Sequence, residues 1–423
     1  MTTSANESVF TWAAPPLKFG SGAVDEVGAD VGQRGARTAL VLTDPRVGST
    51  LVLTRVERSL EAAGIGVVRY DRVGVEPTDE SIGEAVEFAR GQEWDCIIAV
   101  GGGSAIDTAK AVKLLTSHDG DLLDFVTPPI GQGRVPTAPM KPLIAIPTTA
   151  GTGSESTTIC VVDLLKLHLK AGISHASLRP DLALIDPTTT LTLPPEVTAS
   201  SGMDVLSHAL ESYTCVPYDA KPAPEDPARR PAFCGSNPIS DIWCEMALKL
   251  VGANLRRAVL NGRDMVAREQ MMLAATYAGT GFGNAGTHMP HANAYPIAGG
   301  AEGRYKPSGY PEMVMVPHGQ AVAVTAPEVF RWTYPGDTTR HLRAAELLSG
   351  RQFTTADGAD ALASVLTELM ADIGVPSRLA DFGYAESDVD TLVAGAMKQS
   401  RQLSVAPRPV TAEALGGIFR ASM

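Results

Sequence analysis

Up to about residue 190 the chain alternates short β-rich runs with helical periods, and this alternation constrains its fold more than any other feature. The runs "TALVLTD" (38–44), "IGVVRYD" (65–71), "DCIIAV" (95–100), "PLIAIPT" (142–148) and "LALIDP" (182–187) read as buried strands. "LTRVERSLEAAG" (53–64), "DESIGEAVEFARG" (79–91) and "AIDTAKAVKLLT" (105–116) read as helices. Parallel neighbours need a crossover, so the repetition predicts an α/β, Rossmann-like parallel sheet with helices on both faces. After "LPPEV" (193–197) strand signals fade and helical periods dominate, at 198–214, 239–258, 264–282, 320–331, 338–349, 356–373 and 386–402. The expected organisation is an α/β domain over 1–194 and an all-α domain over 195–423. Two Pro- and Gly-rich segments, 215–238 and 298–319, read as loops.

A formal charge of −12, with no basic stripe, argues against nucleic acid as a partner. With 44% apolar residues the chain can bury more than one core, yet no apolar run approaches membrane-spanning length. The five cysteines, at 96, 160, 215, 234 and 244, form no CxxC pair. A disulfide framework or thiolate zinc site is therefore not expected, and a cytoplasmic location is. The N-terminal "MTTSANESVF" has no targeting signature.

"CIIAVGGGSAIDTAKAV" (96–112) runs strand, glycine turn, helix. Gly101, Gly102 and Gly103 permit close backbone approach, and the helix N-terminus beyond them suits a pyrophosphate. The alternative is a tight turn in which Ser104 and Asp107 form a capping box. Asp44, at a strand's C-terminal edge, could hold a ribose 2′-hydroxyl, although here the acid precedes the glycines; otherwise it is a turn aspartate. "PTTAGTGSESTT" (147–158) can bend around a ligand and donate hydrogen bonds, or simply be a polar loop.

In "SGMDVLSHALESY", Asp204 and His208 lie four residues apart and share a helical face. "GTHMPHANAYP" adds His288 and His291, and "VPHGQAV" adds His318. One carboxylate with three neutral imidazoles suits Fe(II), Zn(II) or Mn(II). Singly, each residue also has a structural explanation: a helix-dipole aspartate, a core histidine, a helix-capping histidine.

Together "GGGSAIDTAK", "PTTAGTGSE", the Lys170–Ile173 stretch, "LRPDLALIDP", "GMDVLSHALESY" and "VPHG" resemble the iron-containing, metal-dependent type III alcohol dehydrogenases, in order and over nearly the whole chain. Within that family "VEPTDESIGEAVEFA", "RRPAFCGSNPISDIW", "GTGFGNAGTHMPHANAYPIAGG" and "YKPSGYPEMVMVPHG" are most similar to the hydroxyacid–oxoacid transhydrogenase branch. The resemblance implies a dehydroquinate synthase-like two-domain fold. It implies metal ligation by Asp204, His208, His291 and His318, with His288 nearby but not a ligand. It implies NAD contacts from Asp44, Gly101 to Ser104, Thr148, Thr149, Ser154 and Lys170. Many members carry a proton-relay histidine where this chain has Tyr295, as the transhydrogenase branch also does.

The implied chemistry is hydride exchange between a hydroxyacid or alcohol and an oxoacid or aldehyde through NAD, with the metal polarising the substrate oxygen. The implied pair is 4-hydroxybutyrate and 2-oxoglutarate, giving succinate semialdehyde and 2-hydroxyglutarate. Both carry a remote carboxylate, for which Arg304 and Lys306 are the expected cations, with Arg229 and Arg230 in reserve. The competing reading is an NAD-dependent alcohol or 4-hydroxybutyrate dehydrogenase with a dissociable cofactor. A lyase of the dehydroquinate synthase type would need a basic cluster for a phosphate leaving group, which the sequence lacks. A binding protein with a closed structural metal is the remaining class. A homodimer is a family-level expectation.

Overall fold

The computed structural model describes residues 6–128, 130–167, 169–227, 230–231, 233–300, 303–310 and 314–423. It divides into two compact units, Ala14–Leu191 and Thr192–Met423, and the start of the chain clusters with the second. Residues 6–13 therefore belong with the helices: Ala13 exchanges backbone hydrogen bonds with the Asn284 side chain, and Glu7 pairs with Arg230.

The first unit is a six-stranded sheet, parallel at every pairing, with strands β1 (Leu17–Phe19), β2 (Thr38–Thr43), β3 (Gly66–Tyr70), β4 (Cys96–Gly101), β5 (Leu143–Pro147) and β8 (Leu182–Ile185). Their order is β1-β8-β5-β4-β2-β3. Strand alternation splits the core between the two faces. Leu40, Leu42, Ile97 and Ala99 pack towards helices α3 (Asp79–Arg90) and α4 (Gly103–Leu115). Ala39, Val41, Ile98 and Val100 pack towards α1 (Val27–Gln33) and α2 (Leu51–Ala62). A short helix α5 (Leu122–Phe125) and an antiparallel hairpin, β6 (Ile159–Leu164) with β7 (Leu169–Ser174), complete the unit. The sequence reading missed β1 and the hairpin. The former is three residues long, and the latter carries "DLLKL", whose apolar residues have no clear period of two.

The second unit contains α6 (Pro195–Thr214), α7 (Pro238–Leu260), α8 (Met265–Ala285), α9 (Met289–Gly299), α10 (His318–Ala323) and α11 (Ala326–Thr333). It continues with α12 (Thr338–Ser349), α13 (Asp360–Asp372), α14 (Val389–Met397), α15 (Ser400–Leu403) and α16 (Ala412–Ala421). Helices α6, α7 and α8 pack on one another. Met289, Ala294 and Ile297 of α9 share a second core with Val322, Leu392 and Phe419. The expected helix over 320–331 is two helices, because Pro327 opens α11 in its first turn. Helix α9 lies outside the helical periods read from the sequence, and it holds Pro290 and Pro296. The first sits where a missing N–H costs nothing, and the second lies near the end.

Candidate metal centre and cofactor loops

Helix α6 brings Asp204 and His208 to one buried face, α9 presents His291, and α10 begins at His318. The three imidazole Nε2 atoms surround one carboxylate oxygen, Asp204 Oδ1, at 3.7 Å (His208), 3.6 Å (His291) and 3.7 Å (His318). These separations are too long for hydrogen bonds. They suit atoms that share an ion, since ligands about 2.1 Å from a tetrahedral centre stand roughly 3.4 Å apart. Asp204 Oδ1 and His291 Nε2 are buried without a hydrogen-bond partner among the described residues. Two orphaned polar atoms aimed at one point would be costly unless a cation meets both. Asp204, His208 and His291 form a metal-competent cluster by themselves, and the half-exposed His318 stands at its rim.

The electrostatics make the same demand. Burial would raise the pKa of Asp204, but His208, His318 and His291 hold it well below the usual carboxylate range. Burial opposes charge on His291, yet Glu211 and Asp204 push its pKa up to about 10. A pair of buried carboxylates thus calls for positive charge, which a divalent ion supplies while leaving the imidazoles neutral.

Glu211 is a residue the sequence reading missed. It is fully buried on the same helix as Asp204 and His208. Its Oε1 lies 2.6 Å from His291 Nδ1, and its Oε2 accepts the His288 backbone N–H at 2.7 Å and that of His291 at 3.3 Å. It therefore fixes the ring's tautomer, aiming Nε2 at Asp204, and ties the start of α9 to α6. The available signal was its spacing, one further turn along the Asp204–His208 face. His288 stays outside the cluster, its Nε2 2.9 Å from Thr214 Oγ1. His208 stacks on Phe282 at 3.9 Å. Gly319 lets α10 approach α6 closely, because a Cβ there would lie 1.9 Å from the Ser200 carbonyl oxygen.

Tyr295 lies one turn beyond His291 on α9, and its hydroxyl accepts from Gln402 Nε2 at 3.5 Å. The expected substrate cations fare differently. Arg304 is exposed, donates to Asp388 Oδ2 at 2.9 Å and covers the Tyr384 ring. Lys306 is exposed. Arg230 is paired with Glu7, and Arg229 lies outside the described residues. The Arg304 guanidinium already holds a carboxylate at the surface and would have to exchange it to meet a substrate's.

In the sheet unit the glycine turn is tightly enclosed. A Cβ on Gly103 would stand 2.6 Å from the Thr152 side chain, and one on Gly102 would stand 3.4 Å from Thr149 Oγ1. Asp44 caps its own turn by accepting the N–H groups of Arg46 and Val47, and its Oδ2 faces Gly101. Thr148 donates its backbone N–H to the Gly101 carbonyl. Ser104 does not form the capping box considered from sequence: Gly102 is the N-cap, and Ser104 Oγ accepts the Glu76 N–H at 3.0 Å. Ser154 faces inward, donating to Asp107 Oδ1 at 2.5 Å and accepting from the fully buried Lys110 at 2.7 Å. It therefore braces the loop from beneath. Lys170 pairs with Glu76 at 2.5 Å, and Glu76 is the one non-glycine with positive φ (56°) among the described residues. Such local strain tends to sit at functional sites.

Comparison with known proteins follows this geometry. A family model described as iron-containing alcohol dehydrogenase matches residues 15–187, and that for the C-terminal part of the Fe-containing alcohol dehydrogenase family matches 232–423. The mitochondrial hydroxyacid-oxoacid transhydrogenase of Xenopus laevis is 44% identical over 428 residues, covering 100% of this chain and 92% of the relative. That of Bos taurus is 45% identical over 419 residues, covering 98% and 90%. Among solved structures, a 1,3-propanediol oxidoreductase superposes with a TM-score of 0.86 at 30% identity, covering 98% of this chain and 100% of that one. A sulfoacetaldehyde reductase from Bifidobacterium kashiwanohense, in complex with NAD+, does so at 0.81 and 27%, covering 98% and 99%. The mitochondrial relatives overturn the cytoplasmic expectation. Its basis was unspecific: five free, buried thiols suit any reducing compartment.

Two outcomes are expected. Glu211→Gln should weaken divalent-metal affinity roughly 10- to 100-fold, read by competition with a chelator, because the His291 ring loses its orienting carboxylate. Unchanged affinity would remove Glu211 from the site. In the sheet unit, burial pushes the pKa of Glu155 from 4.5 up to about 7, against its own backbone N–H and Lys110. The folded state then holds the extra proton, so stability present below 4.5 is lost as pH rises through about 7, by roughly 3 kcal/mol. Glu155→Gln should cancel that loss. Urea midpoints at about pH 5 and about pH 7.5 should converge for the variant and diverge for the parent; parallel behaviour would contradict the assignment.

Proposed function

Because the chain belongs to the iron-containing alcohol dehydrogenase family, we propose that it is a hydroxyacid–oxoacid transhydrogenase acting through one divalent metal and a retained NAD. It is an oxidoreductase by family membership. The observation that carries the reading is the ring of three imidazole nitrogens around Asp204 Oδ1. Full-length identity of 44–45% to the transhydrogenases narrows it.

Asp204, His208, His291 and His318 would hold the ion. A divalent metal, Fe(II) by the family's description, supplies a Lewis acid for the substrate's alcohol or carbonyl oxygen. NAD supplies the hydride carrier between the two half-reactions. The chain's own residues position these groups. Glu211 holds His291 in one tautomer. Phe282 covers the face of His208 and keeps water from it. Gly101 to Ser104 present a glycine-lined helix start to the cofactor's phosphates, with Thr148 and Thr149 on the facing loop. Asp44, with Oδ2 beside Gly101, would take the adenosine ribose, which favours NAD over NADP. Lys170, steadied by Glu76, would meet the other ribose. Tyr295 stands where a relay histidine is common, so proton exchange here runs without an imidazole at that position.

The proposed reaction converts 4-hydroxybutyrate and 2-oxoglutarate to succinate semialdehyde and 2-hydroxyglutarate. The second reading, a dehydrogenase that releases its cofactor each turn, is favoured by the oxidoreductases and reductases among the structural relatives. Purified metal-loaded enzyme given both substrates without added NAD decides between them. Formation of 2-hydroxyglutarate supports the transhydrogenase; turnover that requires soluble NAD supports the dehydrogenase.

A further inference from the structure

The metal and cofactor residues leave the shared feature of the two substrates unaccounted for. A hydroxyacid and an oxoacid each carry a carboxylate away from the reacting carbon, and that charge must meet a cation inside the site. Arg304 and Arg230 already hold Asp388 and Glu7.

Arg401 differs from these. It lies on α15, which packs against α9, the helix carrying His291 and Tyr295. Its guanidinium stacks over the Phe233 ring at 5.1 Å, and Tyr295 is close enough to act on its charge. Nη1 is out of solvent and makes no hydrogen bond to any described residue. No aspartate or glutamate pairs with Arg401 among the described residues, in contrast to Arg304, Arg230, Arg340 and Arg331. Arg401 as a whole is half-buried, but a guanidinium stays charged, and leaving one donor out of solvent and unmet is costly. The neighbouring Gln402 donates to the Tyr295 hydroxyl at 3.5 Å, a further contact between α15 and α9.

We infer that Arg401 is the anchor for the carboxylate common to the hydroxyacid and oxoacid substrates, with Tyr295 and Gln402 beside it and Phe233 holding the guanidinium plane. The inference rests on the transhydrogenase reading and names the residue that sets its substrate class. Arg401 selects by charge and by its two-pronged donor fork. It does not take part in bond breaking.

The test compares kcat/KM for 4-hydroxybutyrate with that for 1-butanol on the metal-loaded enzyme, with 2-oxoglutarate supplied to both as the hydride acceptor. Arg401→Met keeps an unbranched apolar side chain and removes the fork, and it should lower the ratio about 100-fold, chiefly through KM. Arg401→Lys keeps the charge without the fork and should lower it by about tenfold. A second measurement does not depend on turnover: calorimetric titration with glutarate should show binding to the parent and a loss of about 100-fold in Arg401→Met. Metal content and circular dichroism establish that each variant is folded; should Arg401→Met fail to fold, Arg401→Lys and glutarate binding decide. A parent that exchanges hydride without added NAD, with variants that keep its ratio and its glutarate affinity, overturns the role of Arg401 and leaves the transhydrogenase reading standing. A parent that does not prefer the hydroxyacid to 1-butanol overturns both.

Discussion

A carboxylate buried among imidazoles is the interaction on which the second unit depends. Asp204 is 3% exposed, and its Oδ1 has no hydrogen-bond partner among the described residues. Charge in that position is tolerable only if a cation meets it. Glu211, seven residues along the same helix, adds a second buried carboxylate and spends it on orienting His291 and the start of α9. Helix α6 therefore brings two negative groups into the unit's interior, and α9 and α10 are arranged to answer them. An arrangement of this kind is poor for stability on its own and sensible for binding an ion.

The packing around α6 follows from that requirement. His318 can reach Asp204 because Gly319 permits helix-to-helix contact at the Ser200 carbonyl, where any side chain would separate α10 from α6. In the sheet unit a comparable closeness is reached through Gly103 and Thr152. There the loop is braced from below by Asp107, Ser154 and Lys110, a buried set in which desolvation raises the carboxyl's pKa and lowers the ammonium's. Both places show a rigid backbone approach secured by small residues, with polar groups held at fixed positions beside it.

What the sequence disclosed depended on whether the signal was periodic or relational. The central strands are legible because β2, β4, β5 and β8 are buried on both faces and read as continuous apolar runs. Asp204 and His208 are legible because four-residue spacing maps onto one helical face. Glu211 was equally well spaced, but glutamate on a helix is ordinarily solvated, and only the fold shows it buried. Lys110 was hidden for the same reason. Helix α9 was obscured by its two prolines. Arg304 was chosen by charge alone; its pairing with Asp388, far along the chain, is visible only in the fold. Arg401 carries no local mark; what distinguishes it is an Nη1 that is out of solvent and unmet among the described residues, a property of the assembled unit. The cytoplasmic expectation failed because thiol chemistry reports redox state and not address.

The most direct measurement of the central claim is X-ray absorption at the metal edge of the protein loaded with Fe(II). The account predicts one tightly held ion per chain, with a nitrogen and oxygen shell containing imidazole scattering from three rings and no sulfur, and with one ring fewer after His318→Ala. Sulfur in the shell, or a stoichiometric ion whose surroundings are unaltered by substitution at Asp204, His208, His291 or His318, would contradict it.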